Sequence, residues 1–312
     1  MREKNSGESI VPDTTYNDLP CPVCDSKENT VLYPDTLNGQ MPNFDYKFTP
    51  DHHRTFQTVR CARCRHVYSS PLPSDIWKNY LAVVEQDYLQ HSSCRVATSD
   101  KVCAVLRRHV PGGRLLDIGC ATGDFLSVAQ RFYNVEGLEL SEWSAKLARE
   151  RGFTIHSKFL SEFTQASLYD VVTLWGVIEH FESPRDEIRQ VFRLLKPGGI
   201  VALWTGDVDG LCSRLLGKRW WNIQGQHIQD FTKSSLTMLF QNIGFQKTWI
   251  GRYPYVMSRD AILLSLGRYP AVHNAVRPVV RKVLSPRFHL TVALPGELFA
   301  VFRKPLTLEA QS

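Results

Sequence analysis

The chain has 312 residues, 43% of them hydrophobic and 22% charged, with a formal net charge of +6. That composition excludes a low-complexity or collagen-like chain, and the length suits one full domain plus a smaller module. No apolar run approaches the ~18 residues of a transmembrane helix, and the polar start Met1-Arg2-Glu3-Lys4-Asn5-Ser6 has no signal-peptide core, so the expected location is cytoplasmic.

Residues 1–17 are polar and patternless and are expected to be a disordered N-terminus. The eight cysteines are unevenly spread: Cys94, Cys103, Cys120 and Cys212 are scattered, whereas Cys21-Pro22-Val23-Cys24 and Cys61-Ala62-Arg63-Cys64 form two CxxC pairs. In a reducing compartment such pairs point to thiolate metal ligation more than to disulfides. Four thiolates, two from each tight turn, complete the tetrahedral shell of a structural zinc ion within a module over residues 18–73. Asp51-His52-His53 lies in the gap and could contribute a ligand instead, and four reduced, metal-free cysteines are the plain alternative.

Residues 74–110 read as linker helices that cover the pocket of the domain that follows. Ile76, Tyr80, Leu81, Val84 and Tyr88 lie on one apolar stripe, and Val102, Val105 and Leu106 on a second. Strands and helices then alternate, with strands expected near 114–119, 134–139, 153–156, 170–175, 199–205 and 246–251, and a last one near 297–303. The expected fold is α/β: a doubly wound, seven-stranded, Rossmann-like sheet over residues 111–252 and 293–306. Between these parts, residues 253–292 form a basic insertion. Its Val272, Ala275, Val276, Val279, Val280, Val283 and Leu284 share a helical face, although Pro278 should interrupt or kink a single helix. Arg252, Arg259, Arg268, Arg277, Arg281, Lys282 and Arg287 oppose the single acid Asp260 there. Such a segment either makes peripheral contact with an anionic membrane or packs on the domain or a second subunit with its arginines solvated.

The most informative run is Leu115-Leu116-Asp117-Ile118-Gly119-Cys120-Ala121-Thr122-Gly123, an apolar strand ending in an acid, followed by a glycine turn and a helix start. This is how an α/β protein opens a nucleotide-sized pocket at the carboxyl end of a strand. Glu139 follows Gly119 by 20 residues, at the end of a second strand, where an acid meets a ribose diol. Asp170-Val171-Val172-Thr173-Leu174-Trp175 and Leu195-Lys196-Pro197-Gly198-Gly199 complete the set.

In this order the four motifs resemble the class I methyltransferases that depend on S-adenosylmethionine (SAM), of the type 23 kind, over about residues 100–258. The family's usual middle glycine is Ala121 here. The resemblance implies that Asp117, Gly119, Cys120, Ala121 and Gly123 form the loop against the methionyl part of SAM. It further implies that Glu139 takes the ribose hydroxyls, that Leu140, Phe159 and Leu160 flank the adenine, and that Trp175 closes the fourth strand beside the cofactor.

On the acceptor side, Glu179 and His180 follow that strand, and His227 lies in the loop Trp220–Phe231. Either histidine could take a proton from a hydroxyl or orient the acceptor. Alternatively His180 caps a helix or packs beneath the site. Trp220 or Trp221 could stack on a sugar or ring, or fill core. Quinone-biosynthesis O-methyltransferases resemble the Glu179-His180 segment and hold magnesium by Glu-x-x-Glu-His, but the first acid of that motif is Gly176 here. The CPxC…CxxC module, the EH pair and the later histidine loop are similar to sugar and natural-product methyltransferases. This implies a small-molecule acceptor, a hydroxyl of a sugar, glycan or lipid-linked glycan. Two alternatives stay open: a ribosomal RNA methyltransferase with a zinc ribbon, for which Arg54, Arg60, Arg63 and Arg65 would be the basic face, and a non-catalytic SAM-fold binding subunit.

Overall fold

The structure is a computed structural model that describes residues 16–42, 44, 50–74, 76, 78–285 and 287–306. The expectation of a disordered N-terminus falls on residues that lie, but for the last two, outside the described ones. The N-terminal part contributes β1 (Asn29–Tyr33), β2 (Thr58–Cys61) and β3 (Val67–Ser69), followed by helix α1 (Ser92–His109). Next come β4 (Arg114–Ile118), α2 (Asp124–Ala129), β5 (Asn134–Leu138), α3 (Glu142–Glu150), β6 (Thr154–His156), β7 (Tyr169–Trp175), α4 (Pro184–Leu194) and β8 (Leu195–Gly206). The remainder is α5 (Leu211–Leu216), β9 (Gln229–Asp230), α6 (Lys233–Ile243), β10 (Gln246–Gly251), β11 (Tyr255–Ser258), α7 (Arg259–Ser265), α8 (Pro270–Val283), β12 (His289–Val292) and β13 (Glu297–Arg303).

Seven strands form one mixed sheet in the order β10-β13-β8-β7-β4-β5-β6. The five from β8 to β6 run parallel, and β13 is inserted antiparallel between β8 and β10. Central strands buried on both faces must be apolar throughout, which is why Leu115, Leu116, Val171, Val172 and Leu174 carry almost no exposed surface. The Lys196-Pro197-Gly198-Gly199 stretch is a bulge in β8: pairing with β7 stops at Leu195 and resumes at Ile200. Lys196 reaches Asp170 at 2.7 Å, and the same carboxylate accepts the Arg114 amide, so the start of three strands is tied at one acid.

Local signals explain the helices. Ser141 accepts the Ser144 amide at the start of α3, and Thr232 accepts that of Ser235 at the start of α6. Gly244, left-handed at φ 109°, ends α6. Ile188, Val191 and Leu194 bury one face of α4 against the sheet. On that side Phe240 of α6 stacks on Phe302 of β13 at 4.1 Å.

Residues 75–91 depart from expectation. Among the described residues the long helix begins only at Ser92, and before it lie two four-residue turns, Lys78–Leu81 and Gln86–Leu89. The proposed stripe splits accordingly, with Ile76 buried but Leu81 and Val84 exposed. The cause is tertiary: Tyr80 is drawn inward to His180 and the Val83 carbonyl is held by Ser141, so this segment follows the body it covers.

The cysteine-bearing module is not a separate bead. Its sheet runs β9-β3-β2-β1, so the fourth strand comes from the main domain. Cys21, Val59, Cys61 and Tyr68 share one apolar cluster with Phe231, Leu236 and Phe240. The insertion at 253–292 is bracketed by its own ribbon, β11 paired with β12. Pro278 sits inside α8 without ending it.

Replacing Phe240 by Ala removes the stacked contact from a fully buried site and should cost about 3–5 kcal/mol in urea unfolding. A loss below about 1 kcal/mol would show that α6 does not depend on this packing.

Candidate active site

Two turns at the carboxyl ends of neighbouring strands build the site. The first follows β4: Gly119, Ala121 and Gly123 all have positive φ, at 68°, 46° and 81°. A Cβ at Gly119 would lie 2.6 Å from Val177 Cγ2, so only glycine lets this turn meet the one after β7. Ala121 holds a left-handed backbone where the pattern usually has glycine, at the modest strain a small residue carries there.

The donors of this loop are spent internally. The amides of Gly119 and Cys120 bond Leu138 O, that of Gly123 bonds Cys120 O, and that of Ala121 bonds Glu139 Oε2 at 2.8 Å. Four amides of the loop are thus taken by the protein itself. Cys120 turns its thiol away, against Gly137. Asp117 lies beneath, 1% exposed and bonded by Thr173 at 2.6 Å. Burial, with the Glu139 charge adding to it, pushes Asp117 up to about 8.

Glu139, half-buried, accepts Ala121 N through Oε2 and Ser141 N through Oε1. Each oxygen keeps a further lone pair, which suits a vicinal diol. Leu140 and Phe159 are half-buried beside it, whereas Leu160 is 4% exposed and belongs to the apolar core with Phe163. Leu160 thus offers almost no surface to an adenine, whereas Leu140 and Phe159 do. Trp175 packs edge-on to Phe125, and its buried Nε1 has no partner among the described residues. An orphaned buried donor at the end of β7 fits a polar ligand there. The carboxylate, the tight glycine turn and this donor together fit SAM.

The second turn carries the acceptor-side residues. Gly176 is left-handed at φ 70°, and a Cβ on it would lie 2.5 Å from the Trp204 ring. From there the chain closes a short 3-10 turn, Ile178–His180. His227 arrives from the loop before β9, and the Ile228 amide bonds Glu179 O. Glu179, His180 and His227 thereby come together, their ligating atoms within 4.8 Å of one another, the rings of the two histidines edge-on at 4.8 Å.

The network sets protonation. Asn222 O, which can only accept, lies 2.8 Å from His227 Nδ1, so the proton sits on Nδ1 and Nε2 accepts from Gln224 Nε2 at 2.9 Å. Tyr80 Oη and Gln226 O lie 2.6 and 2.9 Å from His180 Nδ1. Burial lowers His180 to about 4 and holds His227 well below its usual value, so both rings are neutral near pH 7. Glu179, 1% exposed, takes a hydrogen bond from Thr205 and is pushed up to about 8 by burial. Glu297, holding the indoles of Trp204 and Trp221 at 2.7 Å each, rises to about 7 for the same reason. Trp220 is wholly buried and fills core.

Sequence reading missed Tyr80, Thr205, Glu297 and the Asn222 and Gln226 carbonyls. Tyr80 is 100 residues from His180 and had looked like one more apolar stripe residue.

Comparison with known proteins supplies the class. A family model described as a methyltransferase domain matches residues 89–248, just over half of the 312 residues. The chain belongs to the methyltransferase-domain family. It is a SAM-dependent methyltransferase with the Rossmann-like fold of that family.

Among curated relatives, the ubiquinone biosynthesis O-methyltransferase of Bordetella avium is 38% identical over 100 residues, 29% of this chain and 41% of that protein. An uncharacterized protein of Methanocaldococcus jannaschii is 32% identical over 111 residues, 35% of this chain and 53% of its own. The methyltransferase thus spans about half or less of the length of these relatives. A solved complex of the Haloferax volcanii Trm112 methyltransferase activator with its methyltransferase contains a chain that aligns at a TM-score of 0.51 and 14% identity, over 70% of this chain and 95% of that one. That likeness is one of fold.

The four cysteines of the two CxxC turns converge. Cys21 and Cys64 sulfurs stand 3.5 Å apart, as do those of Cys24 and Cys61. The turns are built alike: the first cysteine of each donates its amide five residues on, to Ser26 O and His66 O, and Asp25 and Arg65 follow at φ 60° and 61°. Neither His52 nor His53 joins this cluster. Among the described residues, no helix is long and apolar enough to cross a membrane.

The raised Glu179 carboxyl fixes a stability slope. Its folded value exceeds the unfolded one, so the stability it brings is complete at low pH and falls as pH rises from about 4.5 to about 8. Glu179→Gln lacks that slope. Relative to wild type, it should gain about 3 kcal/mol between pH 5 and pH 8 in urea titrations of the SAM-free protein. A constant difference would show that Glu179 is ionised in the folded state.

Proposed function

We propose that this methyltransferase methylates a hydroxyl of a small-molecule acceptor, a sugar, glycan or lipid-linked glycan. The observation that carries the reading is the neutral pair His180 and His227 beside Glu179, directly behind the glycine turn. Bound SAM supplies an electrophilic methyl group on its sulfonium. Asp117, the 119–123 turn, Glu139, Leu140, Phe159 and Trp175 would hold it.

His227 Nε2, once the acceptor hydroxyl takes the place of the Gln224 amide that now lies 2.9 Å from it, is the group that takes the hydroxyl proton as the oxygen–methyl bond forms and the carbon–sulfur bond breaks. His180, held through Nδ1 by Tyr80 and Gln226, orients the acceptor oxygen. A buried imidazole kept neutral is competent as a base at pH 7, and closure by Tyr80 excludes water. Trp221, its indole fixed by Glu297, is half-buried and offers a rigid ring on which a sugar or other ring can stack.

The relatives named as O-methyltransferases support a hydroxyl acceptor; they are not sugar enzymes. Of the four arginines proposed for the RNA alternative, three are engaged within the protein and Arg63 is exposed. Arg60 and Arg65 pair with Asp209, and Arg54 bonds Thr36 O and Leu37 O.

The four cysteines suit one structural zinc ion, since sulfurs about 3.7 Å apart are what a tetrahedral shell with Zn–S near 2.3 Å requires. Four thiolates leave no open position for substrate.

Labelled SAM should be turned over with a panel of nucleotide sugars and lipid-linked glycans, with polyphenols as the competing class. His227→Ala should lower kcat about 100-fold or more while SAM affinity stays within about threefold. Glu139→Ala should do the reverse, losing SAM affinity first. Full turnover in both histidine variants would sink the acid–base assignment, and turnover of phenols alone would replace the sugar acceptor. Metal analysis should return about one zinc per chain, lost with several kcal/mol of stability on Cys61→Ser. Metal-free protein of unchanged Tm would leave the cysteines as reduced core residues.

A further inference from the structure

We infer that the apolar and basic surface made by residues 211–219 and 266–290 docks on an anionic lipid bilayer. Helix α8 packs on α7 and on the short turn Leu266–Arg268, and its half-buried residues are His273, Val276, Val280 and, just past its end, Leu284. Its other valines do not follow them inward: Val272, Val279 and Val283 are 49%, 60% and 70% exposed. At 3.6 residues per turn these three fall within an arc of about 40°, so they form one open row.

A second open row lies alongside. Helix α5 exposes Leu211, Leu215 and Leu216, the middle one at 76%. The two segments are tied where Tyr269 Oη donates to Arg219 O at 2.6 Å and Cys212 N donates to Pro295 O. Leu290 of β12 adds a further exposed apolar side chain. Isolated exposed apolar residues are ordinary, but two open apolar faces on segments tied to each other need a cover.

Charge identifies that cover. Residues 261–296 hold Arg268, Arg277, Arg281, Lys282 and Arg287 and no Asp or Glu. Residues 211–219 add Arg214, Lys218 and Arg219, again without an acid. A second copy of the chain is disfavoured as occupant, because a two-fold contact would set these cations against themselves with no carboxylate between them. A bilayer of anionic phospholipid satisfies both features at once, taking the valine and leucine rows at the acyl boundary and the cations at the phosphates. The surface also adjoins the acceptor side of the site: Gly296 packs on Gly210, and the next residue, Glu297, holds Trp204 and Trp221. The docking surface does not depend on which hydroxyl is methylated.

Co-sedimentation with large vesicles of phosphatidylcholine, with and without about 30% phosphatidylglycerol, tests the inference with the full chain in about 0.1 M salt. The protein should pellet with the anionic vesicles and not with phosphatidylcholine alone. Arg277→Gln with Arg281→Gln should weaken binding about fivefold per charge removed, and Val279→Ser with Val283→Ser on the order of tenfold. Both double variants should keep wild-type SAM affinity, which shows that they are folded. No binding to anionic vesicles, or binding unchanged in both variants, would overturn the inference. So would a concentration-dependent dimer that the valine pair abolishes, since it would assign the surface to a second copy.

Discussion

Two turns compete for the same space in this protein, and everything at the site depends on their both fitting. The turn after β4 and the turn after β7 leave adjacent parallel strands at the same edge of the sheet. Any side chain at residue 119 would collide with Val177, and any at residue 176 with the Trp204 ring. With glycine at both positions the backbones close up. The first turn then sends the Ala121 amide to Glu139, and the second carries Glu179 and His180 to within reach of His227. In the proposed reaction a methyl donor and its acceptor must meet in a short, aligned contact, and a sheet that sets these two turns side by side would supply that alignment before either ligand arrives.

The second constraint is electrostatic. Asp117, Glu179, Glu297 and Asp230 are each nearly or fully buried close to the same strand ends, and burial is the first cause of the raised value of each. Two buried histidines are pushed the opposite way by the same physics. The result is a site of titratable groups that are largely neutral near pH 7, which makes their close approach tolerable. Glu297 shows how that neutrality is used: its two oxygens fix two indoles, so a carboxyl that would be costly as an isolated charge orients two aromatic side chains.

The sheet was legible from the sequence because its strands are fully apolar and their turns carry backbone requirements that only a few residues meet. Asp117, Gly119, Gly123 and Glu139 are of this kind, each tied to its neighbours by spacing within about 20 residues. The contacts that assemble the acceptor side have no such spacing. Tyr80, His180 and Gln226 are mutual neighbours across intervals of 100 and 46 residues, and nothing local in the segment around Tyr80 marks it as other than helical. The same limit explains the split of the insertion's apolar stripe. Periodicity places seven residues on one face but cannot say which part of that face the rest of the fold will cover, and only Val276, Val280 and Leu284 of the seven are half-buried.

The cysteine module is best understood as part of the site's support. His66, fully buried one strand away from Cys61, meets the Gln229 side-chain oxygen at 2.9 Å, and the Gln229 amide in turn donates to Phe181 O, next to His180. Val67 and Tyr68 pair with β9, and Arg60 meets Asp209 beyond the end of β8. The loop that carries His227 therefore hangs between the 3-10 turn of the main domain and a strand of the module. A metal ion that rigidifies four thiolates would act on catalysis only through this chain, by holding β3 and with it the register of β9. In the proposed reading the module is a positioning device for His227 rather than a second reactive centre, since closed ligation by four sulfurs would leave no coordination position for substrate.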